Sequence, residues 1–225
     1  KALIHWGGDY VRDTGLLARV EEGLAAEGIE YVEMDGVVPN PRLSLVKQGV
    51  ELCKKEGVDL ILAVGGGSVI DSAKAIGLGL MYDGDVWDFF AGKARAESGF
   101  LVGVVLTIPA AGSEMSCSCV ITKEDGAEKR SYDDDIIRPK FAVMDPELTY
   151  SLPAYQTACG VVDIMMHTME RYFSHEDDMT LTDEVAEAIL RTVKDCACKV
   201  LKNPGDYRSR AQIMWAGSLS HNGLT

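Results

Sequence analysis

The segments LILAV (60–64), GGG (65–67) and SVID (68–71) decide the reading of this chain. Five apolar residues in unbroken succession read as a strand covered on both faces. Three glycines follow, and without side chains their N–H groups can approach an anion closely. From Val69 to Leu80 the spacing is helical. The turn therefore opens onto a helix whose first N–H groups and positive dipole end favour a phosphate. Ser68 is placed to cap this helix, and Asp71 to return the bond three residues on. Alone, the string fits equally a tight strand-to-helix turn that holds no ligand. It matches neither the G-x-G-x-x-G fingerprint nor the loop ending in Gly-Lys-Ser/Thr.

Working outward, the first 150 residues alternate between strand and helix patterns. Ala2–Trp6 is a short strand ending at Gly7-Gly8. The 15–28 stretch is helical, 31–34 is a second strand, and 43–56 is a helix after the breaker Pro39-Asn40-Pro41. Phe100–Ile108 is a further strand. Val120–Thr122 and Phe141–Met144 are short strands around a polar, hairpin-like segment, 123–136. The run Asp133-Asp134-Asp135 in that segment reads as a solvated face. This βαβα rhythm with short connections predicts an α/β, Rossmann-like parallel sheet covered by helices on both sides. Past Asp145-Pro146 the texture becomes helical. Ala186, Ile189, Leu190, Val193, Ala197 and Val200 share a face, Thr180-x-x-Asp183 suggests a capping box, and Asn203-Pro204-Gly205 ends the helix. A domain boundary is placed near residue 152.

Bulk properties exclude several function classes. With 22 basic and 35 acidic residues the net charge is −13, which argues against binding nucleic acid or an anionic membrane. The longest apolar runs have the length of buried strands, and no signal peptide is read at the N-terminus. Six cysteines, including two C-x-C pairs and no C-x-x-C, are too sparse for a disulfide scaffold. They read as free thiols, mostly core filler, in a reducing compartment, so a cytoplasmic location is expected.

A second motif lies in the helical part. Asp163 and His167 in DIMMH are four residues apart, so a carboxylate and an imidazole share one helix face. The spacing suits half of a divalent-metal site, although a lone histidine on such a helix is more often structural.

The string GGGSVIDSAKAIG (65–77), with TIPAAGSE (107–114), YDGDVWD (82–88), CGVVD (159–163) and Asp145-Pro146…Leu152-Pro153, resembles the iron-containing (group III) alcohol dehydrogenases, most closely their butanol-dehydrogenase-like branch. The resemblance covers nearly the whole chain. It implies a dinucleotide-binding α/β domain over residues 1–152 and the beginning of an all-helical metal and substrate domain over 153–225. By the same resemblance Gly66, Gly67 and Ser68 contact the pyrophosphate and Asp71 lies near the nicotinamide. Thr107 and Pro109 belong to a second cofactor-contacting turn, Lys129 matches a cofactor-contacting lysine, and Leu148 packs on the cofactor. Ala111 stands where a hydroxyl is common. Asp163 and His167 are the family's first two metal ligands and hence catalytic. The other two, both histidines, are expected beyond Thr225, so the sequence reads as an excerpt of a longer enzyme. His5, His175 and His221 fit none of the family's motifs and are given no metal role.

NADP(H)-using relatives tend to carry Gly-Gly-Gly-Ser after the first strand, whereas this chain has Gly7-Gly8-Asp9-Tyr10. A carboxylate at Asp9 accepts from a ribose 2′-OH and repels a 2′-phosphate, so NAD(H) is expected over NADP(H). Alternatively, Asp9 only caps the next helix. The resemblance implies alcohol–aldehyde interconversion with a divalent metal, Fe²⁺ or Zn²⁺, on a small alcohol or aldehyde, in a homodimer. Some of Met115, Cys117 and Met166 are expected near the substrate. Two alternatives remain: a glycerol-dehydrogenase-like or 3-dehydroquinate-synthase-like enzyme of the same architecture, or a nucleotide-binding module without catalysis.

Overall fold

Strand β1 (Ala2–Trp6) is buried at every position and lies between two parallel neighbours, β2 (Tyr31–Met34) and β3 (Leu60–Gly65). The computed structural model describes residues 1–174 and 178–224. Two further strands, β4 (Val102–Leu106) and a later edge strand, complete a five-stranded sheet in which β4 adjoins β3. The helices of this part are α1 (Tyr10–Asp13), α2 (Leu16–Ala26), α3 (Leu43–Glu56), α4 (Gly67–Leu80) and α5 (Trp87–Phe90). Helix α3 stops where its sequence allows, at Gly57 in the left-handed conformation (φ 66°). Helix α4 is buried over most of its length, as its apolar composition requires.

The polar segment after β4 forms a two-stranded antiparallel hairpin, β5 (Ser118–Lys123) and β6 (Glu128–Asp133), in register from Ser118↔Asp133 to Lys123↔Glu128. The edge strand β7 (Phe141–Val143) follows. Within 133–135 the expected solvated face holds for Asp133 and Asp135. Asp134 is partly buried and accepts from the Ile136 N–H, which fixes the turn after β6.

The remaining helices are α6 (Ala154–Tyr172), α7 (Thr180–Val200) and α8 (Tyr207–Leu219). Their apolar faces share one core of Val161, Ile164, Ile189, Val193, Val200, Ile213 and Ala216. The expected capping box at Thr180 does not form. Thr180 is already the first helical residue, and the Asp183 N–H bonds the Met179 carbonyl, so the Thr180 hydroxyl is not the cap. Helix α8 is instead capped by Asp206, whose carboxylate accepts from the Ser209 N–H.

Two compact units result: residues 1–105 with 117–142, and residues 106–116 with 143–225. The helical unit thus also takes in the segment that leaves β4. All six cysteines are free. Only Cys53, Cys119 and Cys196 are buried, so the expectation of mostly core thiols holds for half of them, while Cys159 and Cys198 are exposed. Burial raises the Cys53 thiol to about 12, which keeps it protonated and inert. No helix among the described residues is long and apolar enough to cross a membrane.

His5 is fully buried on β1, with Nε2 2.8 Å from Ser72 Oγ and Nδ1 3.0 Å from the Met34 carbonyl. A carbonyl only accepts, so Nδ1 carries the proton. Burial lowers the imidazole to about 4. The unfolded chain therefore binds a proton near pH 6.5 that the folded chain refuses until about pH 4. Stability from this group is complete above pH 6.5 and falls as pH drops toward 4. Imidazole NMR titration should find His5 neutral at pH 5; a midpoint near 6.5 would contradict this.

Candidate functional site

In the sheet unit the strand order is β2-β1-β3-β4. The chain moves outward from β1 to β2 on one side and from β3 to β4 on the other. The β1/β3 boundary is therefore a topological switch point, where open α/β sheets leave a crevice beyond the carboxyl ends of their strands. Trp6 pairs in register with Val64, so the turns Gly7–Asp9 and Gly65–Ser68 leave the sheet side by side. Gly7 allows a close passage here: a Cβ at that position would lie 2.4 Å from the Val37 carbonyl oxygen.

Helix α4 begins at Gly67 with extended Gly66 as its N-cap, and no side chain caps it. The proposed Ser68–Asp71 capping box is thus absent. Ser68 lies inside the first turn, and Asp71 accepts instead from the Val120 N–H at 3.0 Å, tying α4 to β5. Buried Lys74 makes a second tie from α4 to β5, donating to the Ser118 carbonyl at 2.8 Å. The first turn of α4 is left without a side-chain cap at the switch point, an arrangement that suits a bridging phosphate. Asp9 is exposed and stands at the N-terminus of α1 without making a side-chain cap bond, so helix capping does not account for it. Lys129 is exposed on β6 and donates to Asn40 Oδ1 at 2.8 Å.

In the helical unit, Asp163 Oδ1 and His167 Nε2 lie 3.8 Å apart on α6, with side chains 45% and 24% exposed. Two donors on one ion at ~2.05 Å in tetrahedral geometry stand ~3.3 Å apart, so a small rotamer adjustment brings both onto one ion. The oxygen–nitrogen donor set suits a borderline divalent metal. Glu170 Oε2 lies 3.9 Å from the other ring nitrogen, Nδ1, on the side where a metal-bound histidine is usually braced by a carboxylate. Among the described residues no group of three or more such side chains could hold an ion.

Segment 106–116 carries Thr107 and Pro109, both buried, and lies directly on α6 and α8. Three glycines permit this. A Cβ on Gly160 would stand 2.4 Å from the Pro109 carbonyl oxygen, and one on Gly112 (φ 66°) 2.5 Å from the Gly217 carbonyl oxygen. Gly217 faces the Ala110 carbonyl and Ile164. Buried Glu114 accepts from Ser218 Oγ at 2.5 Å. The turn carrying Thr107 and Pro109 and the helix carrying Asp163 and His167 therefore belong to one tightly seated body. Leu148 sits half-buried in the 3₁₀ turn Pro146–Thr149, which Asp145 caps.

The iron-containing alcohol dehydrogenase family model matches residues 1–146, and its C-terminal counterpart, the Fe-containing alcohol dehydrogenase family C-terminal model, matches 157–225. This chain belongs to the iron-containing alcohol dehydrogenase family. It is 42% identical over 224 residues to the NADH-dependent butanol dehydrogenase A of Clostridium acetobutylicum, covering 100% of this chain and 58% of the relative. It is 38% identical to the NADPH-dependent aldehyde reductase YqhD of Escherichia coli, covering 100% of this chain and 58% of that protein. The crystal structure of the NADH-dependent butanol dehydrogenase A of Thermotoga maritima superposes with a TM-score of 0.96 at 40% identity, over 99% of this chain and 56% of that one. The chain thus spans about 58% of the length of the curated relatives it matches.

The expected site residues fall into two groups, one in each unit. Asp9, Gly66, Gly67, Ser68, Asp71 and Lys129 lie in the sheet unit; Thr107, Pro109, Leu148, Asp163 and His167 lie in the helical unit. Met115 and Met166 are exposed in the helical unit, and Cys117 belongs to the sheet unit. His175 lies outside the described residues. His221, which the sequence reading gave no role, follows α8. Its ring stacks on that of His167 with centroids 4.5 Å apart and 24° between planes, and its Nδ1 meets the Ala111 carbonyl at 2.7 Å. The signal available was a histidine just past a helix end, which has no motif of its own.

Proposed function

We propose that this chain holds the nicotinamide cofactor and half of the metal site of an enzyme that interconverts a primary alcohol and an aldehyde: alcohol + NAD⁺ ⇌ aldehyde + NADH + H⁺. The observation that carries the reading is the Asp163–His167 pair, seated in one body with the Thr107–Pro109 turn. A bound divalent ion supplies Lewis-acid polarisation of the substrate oxygen, and the nicotinamide supplies the hydride acceptor. Asp163 and His167 hold the ion through Oδ1 and Nε2. Gly66, Gly67 and Ser68 hold the bridging phosphates through N–H groups at the start of α4. Asp71 and Lys74 keep that helix end fixed by their bonds to β5. Thr107, Pro109 and Leu148 are proposed as cofactor contacts by the family resemblance. Lys129, held by Asn40, offers a cation to the cofactor's anionic side.

Family membership favours this reading over glycerol-dehydrogenase-like or 3-dehydroquinate-synthase-like chemistry and over a nucleotide-binding module without catalysis. Activity in the natural polypeptide carrying this sequence is tested by reconstituting it with Fe²⁺ or Zn²⁺ and assaying primary alcohols and aldehydes with both cofactors. Metal-dependent turnover supports the reading; its absence with every pair refutes it. A homodimer is part of the same proposal, and light scattering reads it directly.

For the cofactor we infer a preference for NAD(H). Asp9 stands exposed beside the crevice, where its carboxylate suits a 2′-OH and opposes a 2′-phosphate. The NADH-dependent relative at 42% identity supports this, whereas the relative at 38% identity is named as NADPH-dependent. Asp9→Gly should shift the ratio of kcat/KM values toward NADPH by about tenfold or more, equivalent to ~1.4 kcal/mol. An unchanged ratio would remove Asp9 from the specificity role.

A further inference from the structure

His221 is held more firmly than its place after a helix end requires. Its Nδ1 lies 2.7 Å from the Ala111 carbonyl, which only accepts, so Nδ1 carries a hydrogen and the ring plane is set by that bond. The preceding residue is fixed as well. Arg171 Nη1 donates to the Ser220 carbonyl at 3.2 Å and to the His167 carbonyl at 2.7 Å, so one guanidinium ties the backbone of His167 to the approach to His221. Ser220 Oγ donates to the Gly217 carbonyl at 2.8 Å. Gly112 leaves the room these groups need, since a Cβ there would come within 3.2 Å of His221 Cβ. The clamped ring then stacks on that of His167, with centroids 4.5 Å apart and 24° between planes.

From this geometry we infer that His221 is a positioning residue for the metal half-site. Its ring, oriented by the Ala111 carbonyl, supports one face of the His167 imidazole and keeps Nε2 turned toward Asp163. This rests on the proposed role of Asp163 and His167 as ligands. The mechanism is steric and electrostatic. A flat ring on one face limits rotation of His167 about its last torsion, a broad twofold well that packing must narrow. Ring stacking adds a modest attraction to this contact. Groups that orient a ligand in this way commonly matter tenfold or more to metal affinity. The arrangement also gives Ala111 a part: the residue lacks a hydroxyl, yet its carbonyl reaches the metal helix through His221.

The test is Co²⁺ binding to the natural polypeptide carrying this sequence. The cobalt absorption band reports coordination geometry, and competition with a chromophoric chelator gives the dissociation constant. His221→Ala should bind Co²⁺ about tenfold more weakly and with an altered band. His221→Phe, which keeps a flat ring, should recover most of the affinity, and His221→Leu should not. An unchanged constant and band in His221→Ala, with binding lost in His167→Ala, would overturn the positioning role and leave the half-site intact. Should the alanine variant fail to fold, equal binding by the Phe and Leu variants would overturn it instead. Wild type and His167→Ala binding Co²⁺ alike would overturn the half-site and the inference together.

Discussion

His167→Ala should lower kcat/KM for a primary alcohol on the order of 10³-fold, with bound metal falling in parallel. A Lewis acid supplies several kcal/mol of charge stabilisation, and each ~1.4 kcal/mol is a factor of ten. The side chain is partly exposed and lies outside the helical core, so thermal unfolding should move little. Initial rates with metal analysis of the same samples separate the possibilities. Lost turnover with metal retained would mean that His167 acts otherwise than as a ligand, and unchanged turnover would dismiss it from the site.

Gly160→Val should cost the helical unit about 3 kcal/mol or more. The added Cβ falls 2.4 Å from the Pro109 carbonyl oxygen, which is backbone and cannot rotate away. Overpacking of a buried contact usually costs 1–3 kcal/mol, and a β-branched residue in a helix adds to that. The turn carrying Pro109 must shift, so cofactor affinity should weaken as well. Gly23 in α2 is the matched control: a Cβ there meets nothing within 4 Å. Gly23→Ala should therefore stabilise by about 0.5–1 kcal/mol through helix propensity. Urea unfolding of both variants gives the comparison. Two changes of the same sign would show that the close approach at Gly160 is not what the glycine serves.

These glycines show where sequence reading reached and where it stopped. The parallel sheet was legible because LILAV is uniformly apolar and leads directly to glycine, and β3 is observed over Leu60–Gly65. Helix α3 runs over Leu43–Glu56 as its apolar spacing predicts. Local polar bonds were less legible. Ser68, Asp71 and Thr180 all have side chains suited to capping, but such groups have several partners within reach. Asp71 takes the Val120 N–H on a hairpin 49 residues away. Asp163 and His167 were readable because four-residue spacing is a local property of a helix. The contact between His221 and His167 depends on α6 and α8 sharing a core, and the bond to Ala111 spans 110 residues. Such contacts have no local pattern. Gly112, Gly160 and Gly217 are explained by the backbones that approach them.

Direct hydride transfer between an alcohol carbon and a nicotinamide held by this chain is the central proposal. Its most direct test uses a primary alcohol deuterated at C1, incubated with NAD⁺ and the metal-loaded natural polypeptide, with deuterium at C4 of the reduced nicotinamide read by NMR. Stoichiometric label on one face of C4, lost in His167→Ala, is the expected result. Unlabelled NADH, or no NADH at all from any primary alcohol, would contradict it.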